Sequence, residues 1–433
     1  MIRVLTYPSK KADKYLKKLL QRIDEYPLKL ERYVKKIGLE VRKRKDLALL
    51  EYTYKFDGVK LNKEELKVKE EEIEKAYSQI DRSLFEAIKL AIKKVKSFHE
   101  KSLPISWFAE EGGIFLGQLV RPIEKAGLYI PGGKGGETPL ISTVIMTAVP
   151  AKIAGVKKVI MVSPPRKDKS LHPALLVAAK ESGVDEIYKI GGPWSIFALA
   201  YGTESLPKVD IICGPGNIYV TLAKKLVAFE VAIDFLAGPS EVLIIADDSA
   251  PPEYIVWDML AQAEHDPMSL SLLITPSKPL IKEVQKLLPV ALEKGYRKEI
   301  VETSLKNRGA LIKVETLEEA FVLANEIAPE HLELMLENPM SYLPLIKNAG
   351  AVFLGANTPE AIGDYIAGPN HVLPTMGLAR FASSLSAEKF LKKINFIHYT
   401  KEALIKEAEP VITLALAENL PSHAEAVKIR VKN

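Results

Sequence analysis

The sequence predicts an α/β fold in which two parallel-sheet units follow one another between helical ends. Three observations predict it. From about residue 127 onward, short apolar runs alternate with helical stretches, and that order restarts after Ala237-Gly238-Pro239-Ser240. Glycine-rich turns close several of the strand-like runs. The first hundred or so and the last fifty or so residues carry helical rather than alternating periodicity. A chain of 433 residues also exceeds what one hydrophobic core organises, so two or more domains are expected.

Taken in order, Leu16, Leu19, Leu20 and Ile23 follow helical spacing, as do Leu84, Ile88, Ala91 and Ile92. A turn-like break follows at 110–113. The first α/β unit reads as strands at 127–130, 158–162, 185–190 and 209–213, with helices at 143–153, 173–181 and 217–229. The second reads as strands at 241–246, 270–275, 310–314 and 351–354, with helices at 253–264, 281–292 and 317–327. Helices at 387–393 and 401–408 form a separate end.

The turns Gly132-Gly133, Gly191-Gly192 and Gly214-Pro215-Gly216 sit at strand C-terminal ends. Open α/β sheets bind ligands there, and helix N-termini there hold phosphate. Singly, each is an ordinary turn, and no GxGxxG fingerprint opens a βα unit.

Composition narrows the function classes. Hydrophobic residues make up 47% and charged residues 27%, an ordinary globular balance. Sixty basic against 55 acidic residues leave a net charge of +5, too little to point to nucleic acid. Cys213 is the only cysteine, which excludes an intrachain disulfide and fits a reducing, cytoplasmic compartment. No membrane-spanning run is expected, because the most apolar stretch, 139–151, is too short. Abundant lysine and glutamate with few glutamines resembles a thermophile's composition.

Four polar segments can carry chemistry. In Gln262-Ala263-Glu264-His265 the glutamine and histidine share a helical face and both can bind metal; the alternative is a helix end where His265 meets the dipole. Pro329-Glu330-His331 sets two proton-handling groups side by side, or is a loop between helix and strand. The glycine-rich run from Gly363-Asp364 to Asn370-His371 suits close approach to a ligand, or an Asx-type turn. Glu418-Asn419-Leu420-Pro421-Ser422-His423 offers an acid and a histidine, or a capped turn before a final strand. Four of the seven histidines thus lie in segments with a carboxylate, while His99, His172 and His398 read as structural. A Gln/His/Asp/His set is too oxygen-rich for a closed structural zinc site and suits a metal that holds substrate. Cys213, ending an apolar strand, reads as a core residue rather than a nucleophile.

These segments resemble the histidinol dehydrogenase family over nearly the whole chain. The resemblance is carried by 233–241 running on to Gln262-Ala263-Glu264-His265, by 327–332, by Gly363-Asp364-Tyr365 and by 368–375. It implies zinc held by Gln262, His265, Asp364 and His423, one ion per subunit. It implies a homodimer in which the C-terminal histidine reaches the partner's metal. It places the substrate against Ser240, Gln262, His265, Glu330, His331, Asp364, His371, Glu418 and His423, and NAD near Tyr129 and Asn217. The implied fold is two related Rossmann-like domains with small ends: 1–25, a discontinuous domain of 26–126 and 240–384, an inserted cofactor domain at 127–239, and a C-terminal domain at 385–433. The implied reaction oxidises L-histidinol through L-histidinal to L-histidine, with two NAD⁺ reduced; His331 serves as general base and Glu330 activates water.

The departures lie on the cofactor side. Trp194 stands where the family has glutamine, Phe235-Leu236 replaces a methionine-led pair, and the turn at 134–139 is longer than usual. Three other readings stay open: a dehydrogenase for another polar alcohol, a metal-dependent hydrolase, and a non-catalytic metal-binding scaffold.

Overall fold

The structure, a computed structural model, describes residues 2–22, 28–133, 136–295 and 297–432. Ile23 and the Lys134-Gly135 part of the long turn lie outside the described residues. Fourteen strands are described, in chain order β1 (Arg3–Thr6), β2 (Trp107–Glu111), β3 (Ile114–Pro122), β4 (Lys125–Tyr129), β5 (Lys158–Ser163), β6 (Glu186–Lys189) and β7 (Ile211–Cys213). They continue with β8 (Ala232–Ile233), β9 (Glu241–Ala246), β10 (Leu270–Thr275), β11 (Ala310–Lys313), β12 (His331–Met335), β13 (Ala351–Leu354) and β14 (Leu391–Tyr399).

Two sheets are wholly parallel. The first is ordered β6-β5-β4-β7-β8, the second β1-β11-β10-β9-β12-β13. Numbered within its own unit, each runs 3-2-1-4-5, with β1 added beside β11 in the second. The two units are therefore topological repeats. Both sheets are covered on both faces, which is why their strands read as continuous apolar runs. In the first sheet Ala126, Leu128 and Met161 face one core, while Tyr129, Ile160 and Val162 face the other. In the second, Val242 and Ile244 oppose Leu243 and Ile245 in the same way.

Several expectations are corrected. The N-terminal segment is not only helical: β1 extends the second sheet, in register with β11 from Arg3↔Ala310 to Thr6↔Lys313. Four residues at a sheet edge leave too short a pattern to read. The helix expected at 387–393 is one 3₁₀ turn, Ala387–Phe390, followed by β14. The β-branched and aromatic residues Ile394, Phe396 and Ile397 favour the strand, which pairs antiparallel with β3 along nine residues. His398 lies in this strand, exposed, with its ring 5.4 Å from that of Phe115. The helix Lys401–Ala417 runs well past residue 408, and Pro421–Val431 makes the last element a helix rather than a strand.

Helices between Leu28 and Glu100 pack on the first sheet, not on the second with which residues 26–126 were grouped. The apolar face Val34, Ile37, Val41 covers one side of that sheet, and Ile88, Ala91, Val95 joins the core on the other.

Candidate active site

The site forms where opposite ends of the two sheets meet. On the first sheet, Gly132-Gly133, Gly191-Gly192 and Gly214 follow the C-terminal ends of β4, β6 and β7, as read from the sequence. On the second sheet the chemistry-bearing residues sit at the N-terminal ends. Ser240 precedes β9, His265 precedes β10 and His331 opens β12. Two contacts of one loop span the gap: Thr143 Oγ1 lies 3.4 Å from His371 Nε2, and Asn370 Nδ2 donates to the Met146 carbonyl at 2.6 Å.

The centre is Glu330-His331, buried rather than in a surface loop. Ala328, in the left-handed conformation at φ 49°, ends the helix Leu317–Ile327 and aims Pro329-Glu330 into β12. Glu241 then holds both residues through its main chain. Its N–H donates to Glu330 Oε2 at 2.8 Å, and its carbonyl lies 3.0 Å from His331 Nδ1. A carbonyl only accepts, so Nδ1 carries the proton and Nε2 presents its lone pair. That Nε2 is buried with no hydrogen-bond partner and lies 3.8 Å from Asp364 Oδ1.

Burial sets the proton affinities. It pushes the Glu330 carboxyl well above the usual range, opposed by the Glu241 N–H. It holds the His331 imidazole below its ordinary value, with Asp364 pulling the other way and His265 and His371 adding to the depression. His331 is thus kept as a neutral base.

Asp364 rides on the short helix Glu360–Tyr365, and its carbonyl accepts from His371 Nδ1 at 2.9 Å. Side-chain atoms of His265, Glu360 and Asp364 all lie within 4.8 Å of one another, a spacing that suits one cation. Gln262 is fully buried, and neither atom of its amide has a hydrogen-bond partner. Such an amide is costly unless something absent from the chain completes it.

Glu360 was not singled out in the sequence. It is buried, with Oε1 3.7 Å from His331 Nδ1. Its i, i+4 spacing to Asp364 was the available signal, since a helix places both on one face. Its main-chain N–H donates to Glu333 Oε1 at 3.0 Å. Arg22 was also missed. Its guanidinium binds the Glu241 carboxylate with both Nε (2.6 Å) and Nη2 (3.2 Å), at 2% and 0% exposure. No local pattern links residues 219 positions apart.

Glu418 and His423 are not brought to this cluster within one chain. Both are exposed at the junction of Lys401–Ala417 and Pro421–Val431, and the metal-competent group among the described residues contains neither. Tyr129 ends β4, buried in the core of the first sheet, and Asn217 follows β7. A Cβ on Gly214, at φ +117°, would lie 2.1 Å from the Tyr129 carbonyl, so only glycine allows this turn so close to β4. Asn217 caps the helix Ile218–Val227, accepting from the N–H groups of Tyr219 (3.0 Å) and Val220 (3.2 Å). Trp194 folds back over Gly192, where a Cβ would lie 2.3 Å from its ring. It is buried, donates to Thr53 Oγ1 at 3.2 Å and stacks on Phe56 with centroids 5.4 Å apart. Cys213 is buried and its thiol is pushed well up, as a core residue's would be.

The histidinol dehydrogenase family profile matches residues 20–431. A histidinol dehydrogenase of Carboxydothermus hydrogenoformans is 52% identical over 405 residues, covering 93% of this chain and 94% of its own. Histidinol dehydrogenase 2 of Trichormus variabilis is 49% identical over 439 residues, covering 100% and 99%. The crystal structure of histidinol dehydrogenase from Elizabethkingia anophelis superposes with a TM-score of 0.94 at 37% identity, covering 100% of this chain and 98% of that one. The chain therefore belongs to the histidinol dehydrogenase family and is an NAD-dependent oxidoreductase of that type.

Proposed function

We propose that this chain oxidises L-histidinol to L-histidine through L-histidinal, using two NAD⁺ and one water, with zinc in the site. The reading is carried by one observation: the main-chain N–H and C=O of Glu241 hold a buried carboxyl and a buried neutral imidazole side by side. The alcohol step needs a base, and the aldehyde step needs an activated water.

Zinc fits the residues present. Gln262 with its unpartnered amide, His265 and Asp364 would hold it, and an oxygen-rich donor set leaves positions for substrate. When bound, zinc supplies a template for the imidazole and amino nitrogens of the substrate. Tyr129 and Asn217 would border the NAD⁺, which would supply the hydride acceptor.

The chain's own residues handle the protons. His331 Nε2 takes the hydroxyl proton in the first oxidation. Glu330 then draws a proton from the water that adds to the aldehyde; its raised proton affinity makes it a strong base once ionised. His331 serves again in the second oxidation. Ser240 and His371 line the site, with His371 oriented by the Asp364 carbonyl. Burial of the pair excludes bulk water, so the aldehyde is retained between steps.

His423 completes the metal set and Glu418 the substrate site from a partner subunit. The exposure of both supports this, as do the large apolar residues bared on the same three-stranded and C-terminal region: Phe108, Ile397, Leu414 and Ile429. Among the described residues, no helix is long and apolar enough to cross a membrane. The lone buried cysteine supports a reducing, cytoplasmic setting.

Purified protein supplied with histidinol, NAD⁺ and zinc tests the reading. Close to two NADH per histidinol are expected, with loss of activity on chelation and recovery with zinc. No NADH from histidinol would refute it.

A further inference from the structure

A cavity away from the Glu330-His331 cluster is lined in part by Arg22, the partner of Glu241. It has a volume of about 520 Å³ and is bounded by the helix Lys10–Leu20, β1 and the loops before β10 and β11. Six cationic residues line it: Arg3, Lys11, Lys14, Lys18, Arg22 and Arg308. No aspartate or glutamate stands among its described lining residues.

This is more than a solvated helix face. Lys11, Lys14 and Lys18 recur at i, i+3 and i+7, so one side of the helix points all three at the same space. Opposite them, Arg3 stacks over the Tyr15 ring at 5.8 Å and is tied to the carbonyls of Asn307 (3.2 Å) and Gly309 (3.4 Å). The Tyr15 hydroxyl donates to the Arg308 carbonyl and sits in the fields of Arg3, Arg308 and Arg22. Arg22 and Arg308 are buried, while the three lysines are exposed. Arg22 is neutralised by Glu241, so the free positive charge is that of Arg3, held in place by its two carbonyl partners, and of the mobile ammonium groups at the rim, a set that suits a small anion with more than one charged group. The volume is in the range of small-molecule sites.

We propose that this cavity binds a small phosphorylated metabolite, with phosphoryl oxygens taken by Arg3 and by Lys14 and Lys18. The site is distinct from the oxidation centre but joined to it. Arg22 at its base grips Glu241, whose main chain holds Glu330 and His331. The inference does not depend on the substrate or metal assigned above.

Calorimetric titration of the full-length protein with fructose 1,6-bisphosphate, and with inorganic phosphate in parallel, tests it without turnover. Saturable binding of the bisphosphate is expected, tighter than that of phosphate. Lys14→Glu with Lys18→Glu should weaken it by about tenfold or more, since two charge-assisted contacts are reversed. Lys282→Glu with Lys286→Glu makes the same charge change on the distant helix Lys278–Leu292 and should leave the affinity within about twofold. No saturable binding overturns the proposal. So does equal weakening by both pairs, which would show only a response to net charge. So does binding untouched by Lys14→Glu with Lys18→Glu, which would place the anion elsewhere, for instance at the cofactor cleft. Both pairs lie on exposed helix faces, and an unchanged melting temperature confirms that each variant is folded.

Discussion

The carbonyl of Glu241 accepts the Nδ1 proton of His331 at 3.0 Å and so leaves the other ring nitrogen free to act as a base. The N–H of the same residue holds Glu330 at 2.8 Å. Glu330 and His331 therefore both depend on where one residue's main chain lies, and that residue is anchored by Arg22.

Arg22→Leu should destabilise the protein by about 3–5 kcal/mol, because it leaves the fully buried Glu241 carboxylate without its partner. Under the proposed mechanism, activity should fall for histidinol and histidinal alike, since Glu330 and His331 are both held by the shifted main chain of Glu241. Adding Glu241→Leu should restore most of the stability. Urea denaturation with steady-state NADH production reads both effects; a stable, fully active Arg22→Leu would disprove the anchoring role.

Glu330→Gln should separate the two half-reactions. The amide still accepts the Glu241 N–H but no longer takes a proton from water. Oxidation of histidinal should drop by about 10²–10⁴-fold, the usual worth of a general base, with a much smaller effect on histidinol. Stopped-flow traces with each substrate make the comparison, and equal losses would remove Glu330 from the water-activating role.

Gln262→Leu should trade function for stability. The native amide is fully buried with neither polar atom partnered, so a similarly sized apolar side chain should raise the melting temperature of the metal-free protein. The gain should be about 1–3 kcal/mol, the cost of an unsatisfied buried polar group. Zinc affinity should fall at the same time, measured with a competing chromogenic chelator. A drop in metal-free stability would mean that the amide is already satisfied.

Shared sites have a stoichiometric signature. His423→Ala and His265→Ala chains should each be inactive alone. Random mixing of dimers should restore roughly a quarter of wild-type activity, because half the dimers are mixed and each carries one intact site. Activity that stays at zero after unfolding and co-refolding would place His423 in its own chain's site, or in neither.

His99 should limit acid stability. Its ring is buried with both nitrogens unpartnered, and burial lowers its pKa from 6.5 to about 4. The unfolded chain therefore binds this proton more readily, and stability falls as pH drops from 6.5 through 4. His99→Phe should remove that loss, worth on the order of 3 kcal/mol below pH 4, in addition to the smaller, pH-independent gain from removing two unpartnered ring nitrogens. Thermal unfolding at pH 7.5 and pH 4.5 makes the comparison; parallel shifts at both would show a packing effect instead.

Most of the α/β framework could be read locally. Strands β9, β10, β11 and β13 and the helices Pro173–Glu181 and Leu317–Ile327 lie where the periodicity puts them, because a strand buried on both faces or a helix against a sheet leaves its pattern in neighbouring residues, whereas β12, opening on the polar pair Glu330-His331, was not read as a strand. The segments around Gln262, Glu330, Asp364 and His371 were legible for a related reason: few side chains supply metal ligands or move protons near neutral pH. The edge strand β1 and the pairing of β14 with β3 were not legible, since each depends on partners far along the chain.

By itself, then, the sequence determined a repeated parallel α/β architecture and the kinds of side chain available for chemistry. Only the tertiary structure decided that the C-terminal ends of one sheet face the N-terminal ends of the other. It also decided that Glu360 joins His265 and Asp364, that Arg22 anchors the residue whose main chain holds Glu330 and His331, and that Glu418 and His423 are exposed and outside their own chain's cluster. The reason is physical. Periodicity records which face of an element is buried, but not which distant element buries it; electrostatic partnership and shared burial are settled only when the chain has closed on itself.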